Sequence, residues 1–277
     1  MLGRLANTVL GCIGLELRPK TAAISVRTSH LAILHNARRN GLEVSTVIDV
    51  GAALGDFSRD AAQVFPGKDF LLIEPLDAYG LSLERTINEL DGRATWVKAI
   101  ASTAPGGTIL NVHDDLVGSS TLKETEHGVD GTPRPVAAIK IDDEVSSRNL
   151  PPPYLLKIDV QGSELVALGG AGKVLDETAF VLLEVSFLDF FQGGASITDV
   201  IAYMAAHDFV PYDLTSPLYR PLDGALAQID VCFAKKSGVL RRNHGFATPE
   251  QRRDQNQTMR TALARRIGTA AGDGQDS

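Results

Sequence analysis

Four acidic residues stand at the ends of short apolar runs, the places where a strand-and-helix protein puts its chemistry. Asp49 closes Thr46-Val47-Ile48 and leads into Val50-Gly51-Ala52-Ala53-Leu54-Gly55. Glu74 follows Asp69 to Ile73, Asp159 follows Leu155 to Ile158, and Glu184 closes Phe180 to Leu183. In an open α/β sheet, ligands bind outside the carboxyl ends of the strands, so all four acids belong on one rim. Gly51 allows a close backbone approach to a ligand, and Gly55 permits tight strand–helix contact.

The turn is spaced G-x-x-x-G, unlike the G-x-G-x-x-G of a dinucleotide site, and the chain has no G-x-x-x-x-G-K-[ST]. An acid ahead of the glycines repels a pyrophosphate and suits a cationic ligand. Glu74 occupies the position where an acid accepts hydrogen bonds from ribose hydroxyls. Positive charge, a ribose and no phosphate together describe S-adenosylmethionine. Asp49, Gly51, Ala52, Gly55 and Glu74 are the expected cofactor-binding residues. Isolated from Glu74, the two glycines would read as an ordinary strand-to-helix turn, and Asp49 as a buried hydrogen-bonding or capping residue.

Methyl transfer to a hydroxyl needs alignment and a proton acceptor. Asp159 is the first candidate for that base and His113, beside Asp114 and Asp115, the second. Glu164, in the first turn of the next helix, belongs either to the active-site rim or to a favourable helix dipole contact. Ser119 and Ser120 are candidates for holding the acceptor. A metal-assisted version would use Asp159 and Glu184 to hold Mg²⁺, with Asp189 as a third ligand.

The elements that must position these residues alternate between β-rich runs and helical periodicity, which predicts an α/β sheet. Strands are expected at 46–50, 69–73, 94–100, 155–160 and 180–185, and helices at 56–65, 77–90, from Ser163, and 197–206. Segments 209–212 and 225–234 would close the sheet as an antiparallel pair. Residues 102–149 interrupt the rhythm. Gly106-Gly107 predicts a hairpin between 99–101 and 109–112, and Val136 to Ile141 a further strand. The polar piece Asp114 to Gly131 reads as a functional loop long enough to cover a site.

Composition bounds the rest. The 277 residues are 44% hydrophobic, enough for a large core, and a formal charge of -7 argues against a nucleic-acid footprint. Two cysteines, Cys12 and Cys232, exclude a disulfide framework and a four-cysteine zinc site. No run approaches eighteen apolar residues. Leu2, Leu5, Val9, Ile13 and Leu17 recur near helical spacing, predicting an amphipathic helix on the core or on a membrane surface; the apolar run before Cys12 is too short for a signal peptide. At the other end, Thr248-Pro249-Glu250-Gln251 is a capping box predicting a helix to Ile267 that stops at Gly268. From Leu240 onward seven Arg face four acidic residues, a net of +3 that leaves -10 on the rest. A solvated helix is the plainer reading of that basic tail, and a polyanion or membrane contact the sharper one.

The blocks Val47-Ile48-Asp49-Val50-Gly51-Ala52 with Gly55, Glu74-Pro75, Gly118-Ser119-Ser120, Ile141-Asp142-Asp143, Lys157-Ile158-Asp159-Val160-Gln161-Gly162-Ser163-Glu164 and Leu182-Leu183-Glu184-Val185 occur in one order. That order resembles the FkbM-type methyltransferase family from about Thr46 to Lys235. The resemblance implies a class I methyltransferase, a Rossmann-like, seven-stranded, mostly parallel sheet with helices on both faces. It also implies S-adenosylmethionine-dependent O-methylation, often of a sugar hydroxyl. Asp49, Gly51, Gly55 and Glu74 would hold the cofactor, with Asp159 and Glu164 on the active-site rim. The family usually carries Asn at the position of Ala53 and Glu at that of Gln161.

The expected organisation is an N-terminal helical segment (1–45), a methyltransferase domain (46–237) with an insertion at about 102–149, and a basic C-terminal helix and tail (238–277). The expected partner is a small-molecule or carbohydrate acceptor and no nucleic acid; a homo-oligomer and a peripheral membrane contact are both compatible with the chain. The expected location is cytoplasmic, at most membrane-peripheral. Two other functions fit: a natural-product O- or N-methyltransferase, and a cofactor-binding partner without catalysis, to which Ala53 would lend support.

Overall fold

Strands buried on both faces read as nearly unbroken apolar runs, and they build the middle of this protein. The computed structural model describes residues 29–272, with side chains described to Ile267. It has ten strands: β1 (Thr46–Val50), β2 (Asp69–Ile73), β3 (Ala94–Val97), β4 (Ile100–Ala101), β5 (Gly106–Val112), β6 (Thr132–Ile139), β7 (Tyr154–Ile158), β8 (Thr178–Ser186), β9 (Phe209–Tyr219) and β10 (Leu226–Lys235). The main sheet has seven strands in the order β3-β2-β1-β7-β8-β10-β9. All neighbours are parallel except β10, which runs antiparallel to both β8 and β9.

Helices cover both faces, and alternate strand residues feed two separate cores. On one face α1 (His30–Arg39), α2 (Asp56–Val64) and α3 (Gly80–Glu89) place Ile33, Phe57, Val64 and Leu83 against Val47, Leu72, Leu155 and Leu182. On the other, α4 (Ile141–Ser147), α5 (Glu164–Gly169), α6 (Gly172–Asp176) and α7 (Ile197–Ala206) place Val145, Leu168, Val174 and Met204 against Ile48, Leu71, Leu156 and Leu183. The reversal of strand order between β1 and β7 opens the crevice where a ligand enters such a sheet.

The interruption is built differently from the expectation. Gly106-Gly107 make no hairpin with 99–101: they begin β5, which pairs antiparallel with β6, Gly106 opposite Ala138. β4 pairs parallel with β6, giving a small sheet in the order β4-β6-β5. The expected third strand, 94–100, therefore divides into β3, in the main sheet, and β4, which leaves it. The first turn of the expected helix 77–90 is a 3₁₀ turn, Asp77–Tyr79. The loop 113–131 is clipped to the loop after β8 by Thr125 N–H to the Phe190 carbonyl (2.7 Å) and Gln192 N–H to that of Lys123 (2.8 Å).

Residues 241–272 form a second compact unit. Its helix α8 (Pro249–Gly272) starts at the expected capping box, with Thr248 N–H donating to Gln251 Oε1 and Gln251 N–H to Thr248 Oγ1. The helix continues through Gly268, since an isolated glycine costs a helix only about 1 kcal/mol. The helix expected over Leu2 to Leu17 lies outside the described residues.

Candidate active site

A cleft of about 800 Å³, its open mouth included, lies at the carboxyl ends of β1, β2 and β7 under the clipped loop. Gly51, Ala53, Glu74, Asp159, Gln161 and Ser163 line it, with Tyr79, Leu110 and Leu116 as apolar and aromatic walls. Leu116, Val117, Ser119 and Thr121 from the loop form its cover. Among the described residues, two carboxyl groups and no Lys, Arg or His lie on the wall. That lining matches a cationic ligand without phosphate.

The glycine turn is shaped chiefly by the protein itself. Gly51 has φ +72°, and a β-carbon on it would lie 1.9 Å from the Asp159 carbonyl oxygen. Gly55 has φ +79°, and its β-carbon would lie 2.5 Å from Thr86 Oγ1 on α3. Ala53 adopts the left-handed region at φ +44°, which Asn tolerates better than Ala. The turn nevertheless forms: Ala53 N–H donates to Glu74 Oε2 at 3.0 Å, and Leu76 N–H to Glu74 Oε1 at 2.9 Å. Burial pushes the Glu74 carboxyl up, against the pull of these two N–H groups and of Lys157.

Among the described residues, Lys157 is the one cation inside the rim. Its Nζ donates to the Gly51 carbonyl at 2.7 Å and lies 3.4 Å from Asp49 Oδ1 and 3.5 Å from Asp159 Oδ2. Burial pulls its pKa down, but Asp159 and Asp49 more than offset this and hold the ammonium above the ordinary lysine value. One buried charge thus ties the tip of β1 to the tip of β7.

The predicted residues divide accordingly. Gly51, Glu74, Asp159 and Ser119 lie on the cavity wall; Asp49, Ala52, Gly55, His113, Ser120, Glu164 and Glu184 lie behind or beside it. Asp49 is fully buried and accepts from Ser58 Oγ at 2.7 Å, because strand alternation turns its side chain toward α2. Ala52 is buried, its N–H donating to the Ile73 carbonyl at 3.3 Å. Glu164 is 3% exposed, and its Oε1 accepts from Gly162 N–H at 3.0 Å, so it braces the turn after β7. Burial raises it to about 7. His113 sits in the loop with Nε2 3.6 Å from Glu124 Oε1. Ser120 is buried and donates to the Gln161 carbonyl at 2.7 Å, whereas Ser119 faces the cleft.

The donor set does not fit Mg²⁺. Between Asp159 and Glu184 stands the Gln161 amide, whose Nε2 donates to Asp159 Oδ1 at 3.3 Å and to Glu184 Oε2 at 2.7 Å. A hydrogen-bond donor occupies the place of the ion, and among the described residues no three His, Cys, Asp or Glu are grouped to hold a metal. Burial, then the charges of Asp159 and Asp230, push the Glu184 carboxyl well above the ordinary range. Sequence reasoning left Thr121, Ser163, Tyr79 and Gln228 unassigned; of these only Ser163, inside the Lys157–Glu164 block, carried a local signal.

The model of the methyltransferase FkbM domain matches residues 49–211, more than half of the chain. The chain belongs to the FkbM methyltransferase domain family. Its sheet order and single antiparallel strand are those of the Rossmann-like class I methyltransferases, an S-adenosylmethionine-dependent group. Comparison with curated proteins finds no match. Among solved structures, it is similar to an rRNA methylase from Streptococcus thermophilus (12% identity, 76% of this chain and 99% of that one, TM-score 0.42). It is also similar to precorrin-6y C5,15-methyltransferase from Geobacter metallireducens (12%, 74% and 85%, 0.40). A third is 1,6-didemethyltoxoflavin-N1-methyltransferase from Burkholderia thailandensis, with S-adenosylhomocysteine bound (14%, 74% and 76%, 0.39). No described helix of this FkbM-domain protein is long and apolar enough to cross a membrane.

Proposed function

We propose that this FkbM-domain protein transfers a methyl group from S-adenosylmethionine to a hydroxyl of a sugar, glycan or glycolipid. The observation that carries the reading is the cleft wall: Glu74 and Asp159 converge on it, and among the described residues no basic side chain does. The cofactor supplies a methyl group on a positively charged sulfur, whose charge is lost on transfer. Glu74 has one lone pair free on each oxygen beyond its two backbone donors, enough to accept from a ribose diol. Gly51 keeps the backbone low at the floor of the cleft, and Tyr79, Leu76 and Leu116 supply flat apolar contact.

Asp159 is the group that receives the acceptor's proton. Lys157 and Gln161 hold its two oxygens from opposite sides, so the carboxyl is oriented before the acceptor arrives. Catalysis of this kind rests on alignment and on exclusion of water, and the roof of Leu116 and Val117 serves the second purpose. His113 stands by Glu124 and is not among the residues that line the cleft. The turn closes on Glu74 with Ala53 in place, which keeps the cofactor site; turnover of an acceptor separates this reading from a cofactor-binding partner without catalysis.

The test is calorimetry with S-adenosylmethionine, followed by transfer of labelled methyl to hydroxyl and amine acceptors. Wild type is expected to bind, and Val166→Arg, which fills the cleft mouth from α5, to bind at least tenfold more weakly. No binding by wild type would overturn the reading. Transfer to amines alone would replace its acceptor class.

A further inference from the structure

Beside Asp159, three half-buried side chains, Gln161, Gln228 and Glu184, form a knot of which only the Gln161–Asp159 bond serves the proton acceptor. Gln161 Nε2 donates to Asp159 Oδ1 and Glu184 Oε2. Gln228 Nε2, from β10, donates to Gln161 Oε1 at 3.2 Å and to Glu184 Oε2 at 2.9 Å. Each amide nitrogen has two hydrogens, so both are now fully used. What remains is acceptor capacity: Gln228 Oε1, which has no donor among the described residues, the second lone pair of Gln161 Oε1, and Asp159 Oδ2.

We propose that Gln161 and Gln228 form the acceptor-recognition edge of the cleft and select a neutral polyol by accepting hydrogen bonds from its hydroxyls. The proposal rests on the methyltransferase reading above and adds to it a specificity site and a charge class. Gln161 lies on the cleft wall and bonds the carboxyl that takes the proton, and Gln228 extends that edge behind it through its bonds to Gln161 and Glu184. A ligand group that only accepts hydrogen bonds finds no free amide donor on Gln161 or Gln228. A carboxylate or phosphate also meets the Asp159 carboxylate on the cleft wall. Lys157 cannot answer that charge, because its ammonium is buried against Gly51, Asp49 and Asp159. A hydroxyl gives its hydrogen to the Gln carbonyls at no electrostatic cost. The knot also explains the gap between Gln161 and the Glu usual in the family: a carboxylate there would remove both donors that hold Asp159 and Glu184.

The experiment measures labelled-methyl transfer by the full chain to neutral methyl hexosides, the matching uronic acids, hexose phosphates and amino sugars. Affinity for S-adenosylhomocysteine is followed in parallel by calorimetry. Neutral hexosides are expected to exceed both anionic sets in kcat/KM by at least tenfold. Gln228→Met is expected to raise KM for the neutral acceptor by about three- to tenfold, the value of one or two neutral hydrogen bonds; Gln161→Met is expected to raise KM likewise and also to lower kcat, because Gln161 holds Asp159. S-adenosylhomocysteine affinity should stay within twofold. An unchanged KM in both variants, a preference for anionic acceptors, or transfer confined to amino sugars overturns the proposal and leaves the methyltransferase reading standing. Failure of wild type to bind S-adenosylhomocysteine would instead sink that reading, and this proposal with it.

Discussion

Gly51 and the Asp159 carbonyl are so close that a single methyl group between them would lie 1.9 Å from the oxygen. The first glycine of the turn is therefore fixed by the meeting of β1 with the end of β7. That contact sets the floor of the cleft and brings Asp159 beside the Gly51 turn. It gives a clean mutational contrast with Gly67, which has almost the same φ, +73°, and open space around it.

Gly67→Ala is expected to cost about 1 kcal/mol, the strain of a left-handed residue alone. Gly51→Ala meets the same strain and a backbone oxygen that cannot move without parting the sheet, so its cost should exceed ~3 kcal/mol. Urea unfolding of both variants checks this. Equal midpoints would show that β1 and β7 can separate freely.

The buried Lys157 ammonium leads to a second expectation. Lys157→Met removes the partner of Asp49, which is fully buried and would keep only Ser58. Breaking a buried pair from one side costs roughly 3–5 kcal/mol, because a charge is left uncompensated. Adding Asp49→Asn should recover part of that loss, and a double-mutant cycle on unfolding free energies measures how much. Additive effects would mean that the two groups do not interact.

Much of this arrangement was legible in the chain. The buried strands at 46–50 and 69–73 and the helix at 197–206 were readable because apolar period and turn residues agree there. The small sheet was not, because β4 has two residues and its partner β6 begins thirty residues later; local spacing around Gly106-Gly107 carries no trace of that pairing. The acids were found but not their directions. Strand alternation sends Asp49 inward, where it meets Ser58 and, from over a hundred residues further along, Lys157, and leaves Asp159 on the wall. Gln161 stood inside the Lys157–Glu164 block, but its bond to Gln228, from a strand 67 residues further along, left no local signal.

Ala53 offers a test that improves the protein. Its φ of +44° is costly for Ala and easier for Asn or Gly. Ala53→Asn should stabilise the chain by about 0.5–1 kcal/mol, a rise in Tm of a few degrees for a chain of this size. Its N–H bond to Glu74 should persist, so affinity for S-adenosylmethionine should hold or rise. A lower Tm in differential scanning calorimetry would show that Ala53 is not strained as its dihedral implies.

Glu164 sets a pH dependence whose sign is opposite to that of a salt-bridged acid. Burial raises its carboxyl to about 7 in the folded protein, against an ordinary 4.5. Between those values the folded state keeps a proton that the unfolded chain releases. The stabilisation is therefore complete below pH ~4.5, is lost as pH rises toward 7, and is absent above, at about 1.4 kcal/mol per pH unit and on the order of 3 kcal/mol in all. Glu164→Gln keeps an oxygen to accept from Gly162 N–H but cannot ionise. In urea unfolding at steps from pH 4.5 to 8, the difference between variant and wild type should grow in the variant's favour across this window and then level off. A constant difference would place the Glu164 titration at its ordinary value and remove burial as the cause.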